Sequence, residues 1–500
     1  MVRSALLASA VLWTAASALQ KTVYNGAART KYGRQTAENR ICQSDFTYSA
    51  LSHRRRPLSH AAAAATPRSQ RLRLAAAPDV EPDAAATDGG AAVADGGASV
   101  TDGGVFGAAA LVAGNMVGGG ILAIPTVCAG PGFYPAAALT ICLWAANVGT
   151  GLLLGEVAAA AVRRGDEDVS LRALSRDALG ESGAQLTSAF FVITNLMLMG
   201  AYVAAGGDAL GSADGYVGHR IAFFLAATLL AGAPSVLADA ANSGLVVAMV
   251  GALGALLVVA APEVDASLLS QPGLAPDAGG ALMTAAPILL GALVFQNVVP
   301  IIAKRFKGDS EKIRESVVLG SAAPAVAYIA FCASVLGRPG EAAAPGELLD
   351  AARGLPDELR GPACAALAVF SVTAVATSFT GAAVGQLEEI RGLVGDDDDS
   401  SNEAIVAAAC FLPPLALALS GPNVFLPLLS LTGGYANTYL FGLLPCLLAW
   451  KHREAAEAGE EILPGGRYSL SALGSGAATM VVSASLGDAA HAISTAVPHV

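Results

Sequence analysis

The fold is decided by the stretch AGNMVGGG, residues 113–120, which is followed by Pro125. It lies inside an apolar run, 104–128, that is long enough to cross a bilayer as a helix. Three consecutive glycines have little helix propensity, so the backbone is expected to leave the helix here. Inside a membrane the freed N–H and C=O groups need polar partners, such as a ligand or a water-filled cavity. The stretch therefore predicts a broken membrane helix.

A second interruption, FQNVVP at residues 295–300, lies in the sixth apolar run, 281–303. Gln296 and Asn297 are amides at membrane depth, and Pro300 removes a backbone donor. Either stretch alone fits close helix packing or a simple kink. Breaks five spans apart are instead the layout of two five-helix inverted repeats, whose half-helix ends face a ligand near the midplane.

Composition places the chain among membrane proteins and excludes several other classes. It is 54% hydrophobic and 14% charged, whereas soluble proteins carry about 25% charged residues. The net charge of −11 and the 6% aromatic content argue against a nucleic-acid partner. No CxxC pair and no His/Cys/Asp cluster occurs in the sequence, which predicts neither an enzyme nor a metal or cofactor site.

We predict an all-α polytopic membrane domain over residues 104–487 with about eleven transmembrane helices. Basic residues concentrate in the loops after spans 2, 6 and 10, on the face that the positive-inside rule assigns to the cytoplasm or its organelle equivalent. The predicted helices are 104–128, 133–160, 184–211, 219–237, 242–261, 281–303, 315–337, 362–393, 403–420, 423–450 and 468–487.

The first hundred residues are typical of a targeting region. Residues 1–18 have the pattern of a secretory signal, and 19–78 are acid-poor and rich in Arg and Ser, like a transit peptide. Together they resemble the two-part presequence of algae with complex plastids, which favours a plastid envelope; a disordered basic tail or another destination stays open. Residues 79–103 are predicted to be a flexible acidic linker, and 488–500 a C-terminal tail.

Four blocks carry a family resemblance: GAAALVAGNMVGGGILAIPTVCAGPGFYPAA (107–137), VFQNVVPIIAKRFKGDSEKIRESVVLGSAAPAVAY (294–328), FSVTAVATSFTGAAVGQLEEIRGL (370–393) and FLPPLALALSGPNVFLPLL (411–429). With them the chain resembles the tryptophan/tyrosine permease family, a branch of the hydroxy/aromatic amino acid permeases. The resemblance implies the leucine-transporter-type 5+5 inverted repeat with broken helices 1 and 6, a proton gradient as driver and an aromatic amino acid as cargo. The Gln296–Asn297 pair stands where many bacterial members carry histidine, which leaves cargo and coupling open.

The resemblance also implies where a substrate would bind. The unwound part of span 1 would hold its carboxylate and ammonium groups, and span 6 would face it, with Phe295 either stacking on an aromatic cargo or simply packing. Asn195 and Tyr202 lie seven residues apart and therefore share one face of span 3. The predicted substrate-binding residues are Ala113, Gly114, Asn115, Gly118, Gly119, Gly120, Asn195, Tyr202, Phe295, Gln296 and Asn297.

Ion coupling has two sets of candidates. The leucine-transporter-type fold that the resemblance implies would have Thr373, Thr377 and Ser378 on span 8 hold a sodium ion beside span 1; the alternative is that they bond the carbonyls of their own preceding turn. Glu156, an ionisable group in span 2, could carry a coupled proton or sit at the interface near Arg163. Two alternatives to aromatic transport remain open: a sodium- or proton-coupled carrier for another small neutral amino acid, and a non-transporting channel or scaffold.

Overall fold

The computed structural model describes residues 104–210, 216–233, 235–338, 357–394, 400–455 and 461–496, and throughout these ranges the ordered elements are helical. The predicted signal, transit and linker segments lie outside the described residues. The helices are α1 (Gly104–Met116), α2 (Ile124–Ala129), α3 (Phe133–Arg164), α4 (Leu171–Leu210), α5 (Tyr216–Ala231), α6 (Ser235–Ala260), α7 (Ala266–Leu269), α8 (Ala278–Ala292), α9 (Val299–Arg305), α10 (Ser310–Leu336), α11 (Asp357–Val394), α12 (Ser400–Leu419), α13 (Phe425–Leu431), α14 (Leu444–Ala455) and α15 (Gly466–Ala496).

Length and composition qualify many of these helices as membrane spans. Six described segments are long and apolar enough to cross a bilayer, and the bent pair formed by α1 with the segment 119–129 makes seven. Large apolar side chains such as Phe106, Leu229 and Val258 are 85%, 76% and 74% exposed. Exposed apolar surface of this kind is normal on helices that face lipid. The chain is therefore a multi-pass membrane protein.

Both predicted interruptions are present, and they are built alike. The first is a bend of 47° at residues 117–118, followed by a 3₁₀ segment, Gly119–Ala123. The second is a 3₁₀ segment, Gln296–Val298, between α8 and α9. Pro125 and Pro300 occupy the first turns of the helices that resume. There a missing N–H costs nothing and a fixed φ favours the helix, so these prolines restart helices rather than kink them.

The third apolar helix begins earlier than the sequence predicted. We placed its start at 184, whereas α4 begins at Leu171 and bends at Gly180, which has a positive φ of 74°. The additional turns carry many polar residues, yet Leu174 and Ser175 are buried. An amphipathic entry of this kind contains too few apolar residues to register as part of a membrane run. At the other end of the chain, α15 extends past the predicted boundary of 487.

An arginine at the start of α5 joins three parts of the structure. The Arg220 side chain is fully buried and donates two hydrogen bonds of 2.9 Å to the two carboxylate oxygens of Asp208, at the end of α4. It also donates to the carbonyls of Ala418 and Gly421, both at 2.6 Å, and to the carbonyl of Pro422. Asp208 thus pairs with Arg220 and helps to fix the α12–α13 connection.

We expect Arg220→Met to destabilise the protein by about 3 kcal/mol or more, because it leaves one carboxylate and three carbonyls without their donor. Thermal unfolding of the purified protein in detergent measures the change. Arg176→Met is the matched control, since Arg176 is half-exposed in its pair with Glu181 and such pairs contribute about 0–1 kcal/mol. Equal stability of the two variants would contradict the role assigned to Arg220.

Candidate functional site

Two asparagines join the interrupted helices directly. Asn115 Nδ2 donates to Asn297 Oδ1 at 2.8 Å, and Asn297 Nδ2 donates back to Asn115 Oδ1 at 3.1 Å. Asn115 lies in the last turn of α1, and Asn297 lies in the 3₁₀ segment between α8 and α9. Each amide satisfies the other in a reciprocal ring, so the two breaks face each other across the protein although 182 residues separate them.

A tyrosine that the sequence analysis missed closes the same junction. The Tyr328 side chain, on α10, is fully buried, and its hydroxyl hydrogen-bonds the carbonyls of Met116 and Ala292, the latter at 3.2 Å. Met116 and Ala292 are the last residues of α1 and α8. Helix ends leave carbonyls without intrahelical partners, and one phenol serves both. A tyrosine inside an apolar span was the available clue, because its hydroxyl needs a partner when buried.

The glycines after α1 allow other helices to approach the break. The backbone N–H of Gly119 donates to Ser378 Oγ at 2.9 Å. A Cβ added to Gly119 would lie 2.7 Å from the Tyr202 ring, and one added to Gly118 would lie 2.5 Å from Ser378 Oγ. Gly114, by contrast, is exposed with no atom near its Cβ position. The same glycines therefore provide close packing and free the backbone, so the two interpretations of this stretch do not exclude each other.

The remaining glycine and alanine of the predicted set lie beside these. A Cβ on Gly120 would be 3.2 Å from the Cα of Ala292, so the first break also touches the end of α8. Ala113 is half-buried one turn before the bend, and its carbonyl accepts the N–H of Val117 at 3.0 Å.

The two residues before Asn297, Phe295 and Gln296, contact α3. Gln296 is fully buried; its Nε2 donates to Asn147 Oδ1 at 2.6 Å and to Thr150 Oγ1 at 3.1 Å, both on α3. Phe295 is also fully buried, and a Cβ on Gly151 would lie 2.8 Å from its ring. Successive residues of a 3₁₀ helix are about 120° apart. The structure therefore brings Asn297 to the first break and places Gln296 and Phe295 against α3.

On α4, Tyr202 and Asn195 lie along one face as expected, and both are buried. Tyr202 packs on Gly119. Asn195 Nδ2 is enclosed and has no hydrogen-bond partner among the described residues. A buried donor without a partner costs free energy, so Asn195 is suited to bind a polar group that enters from outside the protein.

The three hydroxyl candidates of span 8 behave differently from one another. Thr373 donates to the carbonyl of Val369 at 2.6 Å, and Thr377 donates to the carbonyl of Thr373 at 3.0 Å. Both thus bond the preceding turn of α11, the commoner of the two roles expected for them. Only Ser378 reaches the break in span 1. In the part of the chain that the structure describes, no group of three or more His, Cys, Asp or Glu could hold a metal ion.

Glu156 lies in a buried ion pair rather than alone. Its two carboxylate oxygens accept hydrogen bonds of 2.7 Å from Nε and Nη2 of Arg453, and one of them also accepts the N–H of Ile462 at 3.0 Å. Arg453 further donates to the carbonyls of Leu463 and Gly466. The pair ties the second half of α3 to the end of α14 and to the segment that leads into α15.

In the described ranges the chain is all-helical, and its two broken apolar helices meet at their breaks, which is the architecture of a membrane transport protein. The chain matches the tryptophan/tyrosine permease family over residues 101–483 and belongs to that family. Its members are transport permeases, so the chain is a permease and not an enzyme.

Individual relatives support this assignment. The chain is 28% identical to tyrosine-specific transport system 1 of Haemophilus influenzae, over 70% of this chain and 88% of the relative. It is 25% identical to the tryptophan-specific transport protein of the same organism, over 73% and 92%, and 24% identical to glutamine transporter 2 of Aliivibrio fischeri, over 67% and 85%.

A solved transporter shares the fold. The structure superposes on the nucleobase-cation-symport-1 family transporter MHP1 in a closed conformation with a TM-score of 0.51. The match covers 76% of this chain and 89% of that one, at 15% sequence identity.

We expect Asn115→Ala and Asn297→Ala each to abolish transport without reducing membrane insertion, because each leaves the partner amide unpaired between the two breaks. Uptake into proteoliposomes, normalised to the inserted protein, measures the effect. In a double-mutant cycle on thermal stability, the double variant should lose less than the sum of the single losses. Normal transport by both single variants would contradict the assignment of this site.

Proposed function

We propose that the protein is a secondary active transporter of aromatic amino acids such as tryptophan and tyrosine, working as a symporter with protons as the coupling ion. The observation that carries the proposal is the contact between Asn115 and Asn297, which puts the two backbone breaks of spans 1 and 6 side by side. The relatives named for tyrosine and tryptophan transport supply the cargo class.

The breaks suit an amino acid because they offer backbone dipoles of both signs. At the breaks, the 3₁₀ segments Gly119–Ala123 and Gln296–Val298 begin with backbone N–H groups, which favour a carboxylate. The ends of α1 and α8 present carbonyls, which favour an ammonium group; those of Met116 and Ala292 accept the Tyr328 hydroxyl and each have a second lone pair. Asn115, Asn297 and Asn195 add amides that can either donate or accept. In this proposal Gly118 and Gly119 let the cargo backbone approach the chain closely.

Eleven spans arranged as two inverted repeats remain part of the proposal. Support comes from the six long apolar segments and the bent first span, to which the shorter apolar helices Tyr216–Ala231 and Glu403–Leu419, the segment from α13 to α14 and α15 can be added. The matching 3₁₀–proline restarts in the first and sixth spans support a repeat of five helices.

A second candidate cargo is another small neutral amino acid. The relative named glutamine transporter 2 matches this chain over 85% of its own length. Glutamine, like tryptophan, has the carboxylate and ammonium groups that the backbone breaks would bind, so these features do not separate the two.

The plastid envelope stays a prediction from the composition of the presequence.

Uptake of radiolabelled tryptophan by the full-length protein in proteoliposomes tests the proposal. We expect accumulation that needs a proton gradient, is competed by tyrosine and is not competed by glutamine. Vesicles with a sodium gradient, and vesicles with neither gradient, are the controls. Uptake driven by sodium alone would overturn proton coupling. Uptake of glutamine but not of tryptophan would establish the second candidate.

Substitution of Glu156 tests whether this residue carries the coupled proton. Among the described residues, Glu156 is the carboxylate that is more than nine-tenths buried, and both of its oxygens accept hydrogen bonds from Arg453. We expect Glu156→Gln to keep uptake dependent on the proton gradient and to lower thermal stability, because it removes the buried counter-charge of Arg453 and leaves only the more distant, partly exposed Glu461. Gradient-independent exchange by this variant, at normal stability, would instead identify Glu156 as the proton carrier.

A further inference from the structure

The tenth span contains an unusually wide helical segment at membrane depth. Residues Thr432–Leu443, between α13 and α14, are π-helical. Such turns are rare and are frequent at functional sites, because the wider turn re-aims side chains and interrupts the regular hydrogen-bond ladder. Asn437 lies at the middle of this segment, and its side chain is only 3% exposed.

The amide of Asn437 has an unmet acceptor. Its Oδ1 is enclosed and has no hydrogen-bond partner among the described residues. Two hydroxyls of the same segment are already occupied: Thr432 donates to the carbonyl of Leu428 at 2.7 Å and Thr438 to that of Gly433 at 2.6 Å. Buried acceptors in native proteins nearly always have a partner, so an unpaired one calls for a specific explanation.

The position of Asn437 supplies that explanation, because it adjoins the contact between the two breaks. A Cβ on Gly291 would lie 3.1 Å from Asn437 Nδ2. The next residue, Ala292, ends α8, and its carbonyl accepts the Tyr328 hydroxyl. Ala292 also faces Gly120, in the unwound part of the first span. Asn437 is therefore one residue away from the junction at which the cargo is proposed to bind.

The segment is also held firmly in register against α8. Gly433 packs directly on the carbonyl of Pro287, where any side chain would clash. This contact lies one turn away from Asn437, so the Asn437 amide is held in place on the α8 side of the junction. A fixed polar group on a rigid element is what discrimination between similar ligands requires.

We infer that Asn437 Oδ1 accepts a hydrogen bond from the side chain of the cargo and so selects aromatic amino acids that carry a donor, the indole N–H of tryptophan or the phenol O–H of tyrosine, over phenylalanine. The inference rests on the proposed aromatic cargo. It names Asn437 as the residue that binds the polar group of the cargo side chain. Phenylalanine would leave the acceptor buried and unpaired. A site built to hydrogen-bond a ligand rejects an analogue without the donor far more strongly than a site that only matches its size.

Competition against labelled tryptophan in proteoliposomes of the full-length protein tests this. In the wild type, tyrosine should compete well, whereas phenylalanine should need a concentration about tenfold higher or more. N1-methyltryptophan and O-methyltyrosine, which lack the donor, should also compete poorly. These competition measurements use only the wild-type protein, so their outcome does not depend on whether a variant folds.

Asn437→Leu keeps the four-atom side chain branched at Cγ, with bulkier methyl groups in place of the amide, and removes the acceptor. We expect it to weaken the apparent affinity for tryptophan about tenfold while that for phenylalanine changes less than about twofold. Asn242→Leu is the matched control: its Oδ1 is likewise buried without a described partner, but it lies on α6, away from Gly291 and Ala292. That variant should keep the wild-type order of competitors.

Two results would overturn the inference: equal competition by phenylalanine and tryptophan in the wild type, or a loss in Asn437→Leu that is the same for all three amino acids. Both leave aromatic transport itself intact. Failure of the proposed function has a different signature, since no aromatic amino acid would then be taken up by the wild type under any gradient, and the inference would fall with it.

Discussion

A helix that breaks inside a bilayer exposes backbone N–H and C=O groups that water does not reach. The arrangement of the other helices depends on how these groups find hydrogen-bond partners. The end of α1 and the end of α8 share the Tyr328 hydroxyl. After the bend, the N–H of Gly119 donates a hydrogen bond to Ser378 Oγ. The Asn115–Asn297 pair then holds the two breaks against each other. Each partner comes from a different helix, so the breaks can exist only in the assembled bundle.

Among the residues that the structure describes, full charges lie away from this junction and join the ends of helices instead. Arg220 joins α4, α5 and the α12–α13 connection, and Arg453 joins α3, α14 and the entry to α15. Both guanidinium groups bond a carboxylate and several carbonyls, as buried arginines must if they are not to be destabilising. These two sets of arginine contacts hold the helices in place around a polar junction made of neutral side chains.

The sequence predicted the features that depend on local composition. Apolar runs gave the helices, and the glycine triplet and the QN pair gave the positions of the breaks. It could not predict which side chains meet, because contacts such as Glu156–Arg453 join residues 297 positions apart. Nor could it separate Asn297 from Gln296, since one step along a 3₁₀ turn decides which of them faces the first break. Tyr328 was missed because it stands alone in an apolar run. Asn437 was missed because it lies among Gly, Tyr and Thr residues in GGYANTY (433–439), where nothing in the sequence shows that its amide lacks a partner.

The neutral character of the junction has a consequence for a zwitterionic cargo. Among the described residues at the breaks, Asn115, Asn297, Tyr202, Tyr328 and Ser378 carry no formal charge, so the carboxylate and ammonium groups would be met by backbone and amide dipoles. Dipoles that are already fixed in place need no reorganisation when the ligand arrives. They also bind less tightly than a buried counter-charge would, and a carrier must release its cargo as well as capture it. Under the proposed function, a site without formal charges therefore favours turnover over affinity, and the aromatic side chain, rather than the shared amino acid groups, is left to decide which cargo binds.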